Sequence, residues 1–299
     1  MNITGKKTIW FLISTILLIV SIISLSIWGL KYGIDYKGGT LLELSFSKDT
    51  NAQLVKDSLN SLDFSKGMSV QDTESNAVLI RTSVLTQEQI NQLKSVLNEK
   101  IGESKEIRLE TVGPTVSKDL TKKAIIAVVL ASLAIVVYIA WAFRTVPKPA
   151  NSWRFGICAI LALIHDIVIT IGAYSLFGHF FGYEVDSLFI TALLTVMGFS
   201  VHDTIVVFDR IRENLRKYPS KDFEVNANDS ITQTLVRSLN TSLTLIIVLL
   251  SLIILGGSSI KHFIATLLVG VTVGTYSSIF NASLLLVVWQ NSINRRKLA

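Results

Sequence analysis

The chain has 299 residues, 50% of them hydrophobic and only 17% charged, with a mean hydropathy of +0.52. Soluble domains carry about 25% charged residues, so an ordinary soluble enzyme is excluded as a description of the whole chain. The formal net charge of +6 would suit a nucleic-acid binder, but the basic residues flank apolar runs, so membrane-surface anchoring is the better reading and no nucleic-acid partner is expected. The single cysteine, Cys158, excludes an internal disulfide, and no CxxC or Cys/His zinc spacing occurs.

The first apolar run, 9–29, follows Lys6 and Lys7. It is longer than the roughly 7–15 residues of a signal-peptide core and no A-x-A site follows, so it reads as an uncleaved spanning helix. Residues 31–122 have the composition of a soluble domain. Their pattern predicts strand 40–47, helix 51–62, strand 68–74, strand 77–82, helix 86–99 and strand 105–112. That βαββαβ order suggests a ferredoxin-like sandwich. Leu41, Leu44 and Phe46 do not alternate cleanly, and Thr86 followed by Gln87, Glu88 and Gln89 is a capping-type helix start.

Five further apolar runs follow at 123–143, 155–177, 187–208, 239–256 and 263–289. A run of about 20 residues crosses a hydrocarbon core of roughly 30 Å as a helix, the form that satisfies its own backbone in lipid. The expected fold class is therefore an all-α six-helix membrane bundle with a small α+β extracytoplasmic domain. The expected division is 1–30, 31–122 and 123–299. Basic residues cluster at Lys6 and Lys7, at Arg144, Lys148 and Arg154, at Arg210, Arg212, Arg216, Lys217 and Lys221, and at Arg295, Arg296 and Lys297. The positive-inside rule then places both termini in the cytoplasm. No P-loop, GxSxG, HExxH or GxGxxG motif occurs, so no enzyme activity, cofactor or metal is expected.

The residues that carry chemistry are the charged ones inside apolar runs. Asp203 lies in the fourth run, about two turns before Arg210, and an intramembrane carboxylate is costly enough to mark a functional site; the alternative is a polar staple between helices. Ser230, Thr234, Arg237, Thr241 and Thr244 recur at spacings of four, three, four and three, one face of a helix. On that face Arg237 can neutralise ionised Asp203, and protonation of Asp203 would release the pair. Arg237 also fits a snorkelling arginine near a helix end, and Thr241 and Thr244 fit ordinary packing. Asp166 sits mid-run in the third span beside His165, a second candidate relay carboxylate with a titratable neighbour; a lone membrane histidine is as often structural. Thr266, Gly270, Gly274, Ser278 and Ala282, each four apart, make a small-residue face for close helix packing. Gly256 and Gly257 ahead of it read as a loop break. At the junction after the first span, Gly38 and Gly39 permit a sharp turn and Asp35 suits an Asx-type turn.

Two stretches carry a resemblance: Gly33-Ile-Asp-Tyr-Lys-Gly-Gly39, and the long run from Gly198 through His202-Asp203-Thr204 to Asn214. With the Ser230–Thr241 segment and the small-residue face, they resemble the SecD/SecF family of bacterial protein-export membrane proteins, part of the resistance-nodulation-division superfamily. The resemblance covers nearly the whole chain. His202 departs from the asparagine more usual in that family before the aspartate. The resemblance implies a plasma-membrane accessory subunit working beside SecD and the SecYEG channel. It would use an ion gradient, H⁺ or Na⁺, to promote preprotein export after SecA has pushed the chain. It further implies Asp203 and Arg237 as the ion-relay pair with Thr241 close by, and Asp35 with the two glycines at the domain junction. It also implies that this six-span unit is one half of a pseudo-symmetric body whose other half is a separate partner. The alternative is half of a transporter exporting a lipid or small molecule with the same relay.

Overall fold

The structure, a computed structural model, describes residues 2–65, 67–73, 76–147 and 150–298; Lys148, counted above among the basic residues, lies outside them. In chain order the elements are α1 (Lys7–Trp28), α2 (Ile34–Lys37), β1 (Gly39–Phe46), α3 (Ala52–Leu59), β2 (Ser69–Asp72), β3 (Ala77–Thr82), α4 (Gln87–Lys100) and β4 (Ser104–Val112). Then come α5 (Pro114–Ala142), α6 (Ser152–Phe180), α7 (Ser187–Lys217), α8 (Phe223–Leu255), α9 (Ser258–Tyr276) and α10 (Ser283–Leu298). A π-helical turn, Ser277–Ala282, joins α9 to α10. Contacts divide the chain into a helical unit (residues up to Lys31, Ile126–Tyr183 and Leu188 onward) and an α+β unit (Tyr32–Ile125 with Glu184–Ser187). The loop 184–187 was not anticipated as part of the α+β unit, which the sequence reading confined to 31–122.

In the helical unit, six helices among the described residues are long and apolar enough to cross a membrane. They are not equally central. Of their apolar windows, 56% is buried in α6 and 50% in both α7 and the α9–α10 helix, against 17% in α1 and α8 and 6% in α5. The core is therefore α6, α7 and α9–α10, and the other three present long rows of isoleucine, leucine and valine outward. Packing at one end is aromatic: Phe143, Phe155 and Phe208 meet with ring centroids 5.1–5.7 Å apart in tilted and edge-to-face pairs. Cys158 is buried in the same core and is free.

Several helices run past their apolar runs. Asp222 caps α8 by accepting from the N–H groups of Glu224 (2.9 Å) and Val225 (3.3 Å), so the polar stretch before residue 239 is helical too. The helix stops at Gly256, the loop break read from Gly256 and Gly257. The charged tail of α7 continues the helix to Lys217, where Arg212 donates to the Ala142 carbonyl at 2.8 Å and Arg216 to that of Thr145 at 3.2 Å.

The α+β unit holds one four-stranded sheet, order β2-β3-β1-β4, with every pair antiparallel. Its element order is β-α-β-β-α-β, as the pattern predicted, with strand 77–82 matching to the residue. The predicted strand 68–74 reaches one residue beyond the described part, and the strand seen is Ser69–Asp72. Leu42, Leu44 and Phe46 of β1 pack with Val78 and Ile80 of β3 against Val55 and Leu59 of α3 and Ile90, Leu93 and Leu97 of α4. Each such buried side chain contributes about 1.5–3 kcal/mol. Leu41 and Glu43, on the opposite face of β1, are buried as well, which is why the strand fails to alternate. Thr86 closes a full capping box with Gln89 at the start of α4.

Candidate functional site

The interior of the helical unit is a set of serines, threonines and two carboxylates threaded between apolar layers. Asp166 is fully buried on α6. Its Oδ2 accepts from Ser200 Oγ of α7 and from Ser277 Oγ of the π-turn, both at 2.6 Å, and its Oδ1 faces His165 Nδ1 at 2.8 Å. His165 Nε2 lies 3.2 Å from Asn281 Nδ2, which also donates to Ser14 Oγ of α1. Ser14 pairs with the Tyr276 hydroxyl at 3.0 Å, and Tyr276 donates to the Trp10 carbonyl at 2.6 Å. Since the tyrosine hydrogen is committed to that carbonyl, Ser14 donates to Tyr276.

Asp203, one turn after Ser200 on α7, is 2% exposed. It has fewer partners. Ser242 Oγ of α8 donates to its Oδ2 at 3.3 Å, and His202 Nδ1 lies 3.5 Å from its Oδ1. Thr275 Oγ1 of α9 donates in turn to Ser242 at 2.7 Å. His202 itself is 63% exposed. Among the described residues no group of three His, Cys, Asp or Glu side chains converges as a metal site would.

Arg237 is not with Asp203. It is exposed on α8, as are Thr241 and Thr244, whose hydroxyls bond their own helix at the Arg237 and Asn240 carbonyls. The buried face of α8 carries Ser230, Thr234, Ser238 and Ser242, a four-residue repeat. The face proposed from the sequence shares its first two residues and then turns outward, because Arg237 lies about 100° around the helix from Ser238. The basic side chain beside Asp203 is His202, 3.5 Å away, and not Arg237.

Of the small residues four apart, Thr266, Gly270 and Gly274 on α9 and Ser278 and Ala282 in the π-turn are all buried. A Cβ at Gly274 would come within 3.2 Å of Ser200 Cβ and 3.6 Å of Asp166 Oδ2, so this glycine brings α9 onto the carboxylate layer. Ser278 is more than a packing residue: it donates to the Ser200 carbonyl at 2.8 Å and receives Thr204 Oγ1 at 2.9 Å. Ser200, Ser242, Thr275, Ser277 and Asn281 were not singled out from the sequence. The signal present was hydroxyl density on α8 and α9, which carries no information on direction.

In the α+β unit, residues 33–39 fold as a tight corner. Gly33 N–H donates to the Val185 carbonyl at 2.9 Å, and Tyr32 and Val185 form a parallel bridge. Asp35 Oδ2 accepts from both Ser187 N–H (2.8 Å) and Ser187 Oγ (2.6 Å), so it bonds the first residue of α7 rather than its own turn. Gly38 (φ +76°) and Gly39 (φ +142°) lie in the left-handed region, and a Cβ on Gly39 would fall 2.5 Å from the Thr82 carbonyl oxygen. Arg81 pairs with Glu184 at 2.9 Å, and burial pushes its pKa below the usual arginine value.

Residues 92–292 match the family model described as protein export membrane protein SecD/SecF, C-terminal, and residues 23–50 match the SecD/SecF GG motif. The chain is 44% identical over 294 residues to the protein translocase subunit SecF of Thermobaculum terrenum, covering 94% of this chain and 92% of that one. It is 43% identical over 296 residues to the SecF of Anaerolinea thermophila, covering 97% and 94%. The crystal structure of SecDF, a translocon-associated membrane protein from Thermus thermophilus, aligns with a TM-score of 0.86 and 33% identity over 97% of this chain. SecDF in its super-membrane-facing form aligns with a TM-score of 0.71. The chain spans 39% of the length of the first of these SecDF chains.

Proposed function

Because the chain belongs to the SecD/SecF family of protein-export membrane proteins, we propose that it uses an ion gradient, together with a SecD-type partner, to promote preprotein export after SecA-driven translocation. A multi-pass transport component of the Sec pathway, and no enzyme, is the premise. The partner would be a second helical bundle, as the presence of SecD and SecF lengths in one chain of the solved neighbour supports. SecYEG at the channel, both termini in the cytoplasm of a bacterial plasma membrane, and a ferredoxin-like outer domain complete the reading. The last is supported by the β2-β3-β1-β4 antiparallel order. The translocase names of the relatives favour this over export of a lipid or small molecule.

The observation that carries the ion-coupling reading is Asp203: a carboxylate 2% exposed, deep in an apolar helix, held by one hydroxyl at 3.3 Å and flanked by His202 at 3.5 Å. A lightly held intramembrane carboxylate has room to exchange a proton or sodium ion for its present partners. Arg237 and Thr241, on the outward face of α8, are then assigned to the surface that meets the partner, where Arg237 acts on Asp203 only in a rearranged state. One charge crossing 100 mV supplies about 2.3 kcal/mol, enough to shift a two-state helix arrangement some tens-fold.

The test is Asp203→Asn in membrane vesicles holding the complete translocase. Gradient-stimulated export is lost while SecA-driven export and complex assembly persist. Undiminished stimulation by the gradient refutes the reading. Repeating the assay with a proton gradient alone and a sodium gradient alone identifies the ion.

A further inference from the structure

The turn Ser277–Ala282 bonds to one of the two buried carboxylates, and Thr275, two residues before it on α9, leads toward the other. On one side Ser277 donates to Asp166 and Ser278 to the Ser200 carbonyl, on the helix that carries Asp203. On the other, Thr275 donates to Ser242, whose own hydrogen goes to Asp203. Trp10 of α1 stacks on Phe280 of the same turn with centroids 3.9 Å apart. A π-turn is a rare and less favourable form of helix, so an interaction outside the helix must hold it.

Asp166 is placed to do so. Two hydroxyls at 2.6 Å and an imidazole nitrogen at 2.8 Å occupy its oxygens, drawing α7 and the π-turn onto α6. Asp203 differs, with one hydroxyl at 3.3 Å and the exposed His202 Nδ1 at a longer 3.5 Å. A group that exchanges an ion needs an open coordination position, and a group that fixes helices does not. We propose that Asp166 is a positioning residue: it holds the turn at Ser277 in its wide form and thereby sets the Thr275–Ser242 pair that faces Asp203. The functional weight of that pair rests on the role proposed above for Asp203.

The experiment compares Asp166→Asn, Asp166→Leu and Ser277→Ala in the full chain assembled with its translocase partners. Two quantities are read: amide hydrogen exchange across 277–283, and gradient-stimulated export. Asparagine keeps an oxygen that accepts both hydroxyls, so Asp166→Asn retains slow exchange and near-normal export. Asp166→Leu and Ser277→Ala speed exchange in this stretch and lower export roughly tenfold, the scale of one well-made hydrogen bond at a buried site. Should the leucine variant fail to assemble, Ser277→Ala carries the same test. The proposal is overturned if Asp166→Asn abolishes export as completely as Asp166→Leu, which would make the charge itself the working element. Unchanged exchange in Ser277→Ala overturns it as well. Faster exchange in the leucine and alanine variants, with export indifferent even to Asp203→Asn, supports the positioning role and rejects the Asp203 reading.

Discussion

Replacing Gly270 by alanine tests how tightly α9 is set against α7. An ideal Cβ at this position would lie 2.2 Å from Val196 Cγ2, 2.6 Å from Cγ1 and 2.9 Å from Cβ. Carbon atoms settle at about 3.5–4.0 Å, so the two helices must part by more than an ångström or Val196 must leave its place. Close-packed interiors do not absorb such a shift, and overpacking costs about 1–3 kcal/mol. Alanine recovers about 0.5–1 kcal/mol over glycine inside a helix, leaving a net loss centred on about 1 kcal/mol and reaching ~2.5 kcal/mol for so close an approach. Adding Val196→Ala removes both Cγ atoms and leaves only the 2.9 Å approach, so the double variant regains most of the loss. The assay is a double-mutant cycle on the folded fraction against added denaturing detergent. A single variant as stable as the parent refutes the reasoning, and so does a double variant no better than the single. Gly172 provides the contrast. Its added Cβ would fall 2.5 Å from the Ser21 Cα, so trimming the Ser21 side chain brings no comparable rescue to Gly172→Ala.

Asp35→Ala removes the acceptor at the first amide of α7. It should cost about 1 kcal/mol and speed hydrogen exchange of the Ser187 amide, while Asp35→Asn does so less. Burial raises the pKa of Tyr36 above its ordinary value of 10.0. Folding therefore favours the neutral phenol: that contribution is complete below the unfolded value and is lost as pH rises through the higher folded one. Tyr36→Phe should flatten the alkaline end of a stability-against-pH curve followed by tryptophan fluorescence, and an unchanged curve would count against a phenol partly withdrawn from water.

What could be read from the residues divides along a physical line. Asp203 and Asp166 stand out because a carboxylate inside an apolar run has few explanations. The α+β unit is legible because period-two and period-3.6 patterns differ, and its one irregular strand, β1, is irregular because both its faces are buried. The inward face of α8 was not legible. Hydroxyls occur at 230, 234, 238 and 242 and also at 241 and 244, and both sets suit a helix. The arginine drew the assignment to the outward set, yet the inward one packs. The π-turn was hidden for a related reason. Small residues four apart drift around a helix of 3.6 residues per turn, and the wider turn at Ser277 takes that drift back, so an even spacing in sequence conceals a change of helix type. Nor could single residues reveal that Asp35 reaches across to Ser187, a contact spanning 152 positions of chain.

Many of the hydroxyls that bridge helices have a second acceptor at home. Thr275 reaches Ser242 but also its own Val271 carbonyl at 2.8 Å, Thr204 reaches Ser278 but also the Ser200 carbonyl at 3.2 Å, and Ser277 reaches Asp166 but also the Gly274 carbonyl at 3.2 Å. When neighbouring helices part, each of these hydrogens falls back on its own backbone, and no stranded donor is left in a dry interior. Such a seam is built to open and reclose like a zip fastener, at small cost per tooth, which suits the cycle of rearrangements proposed above.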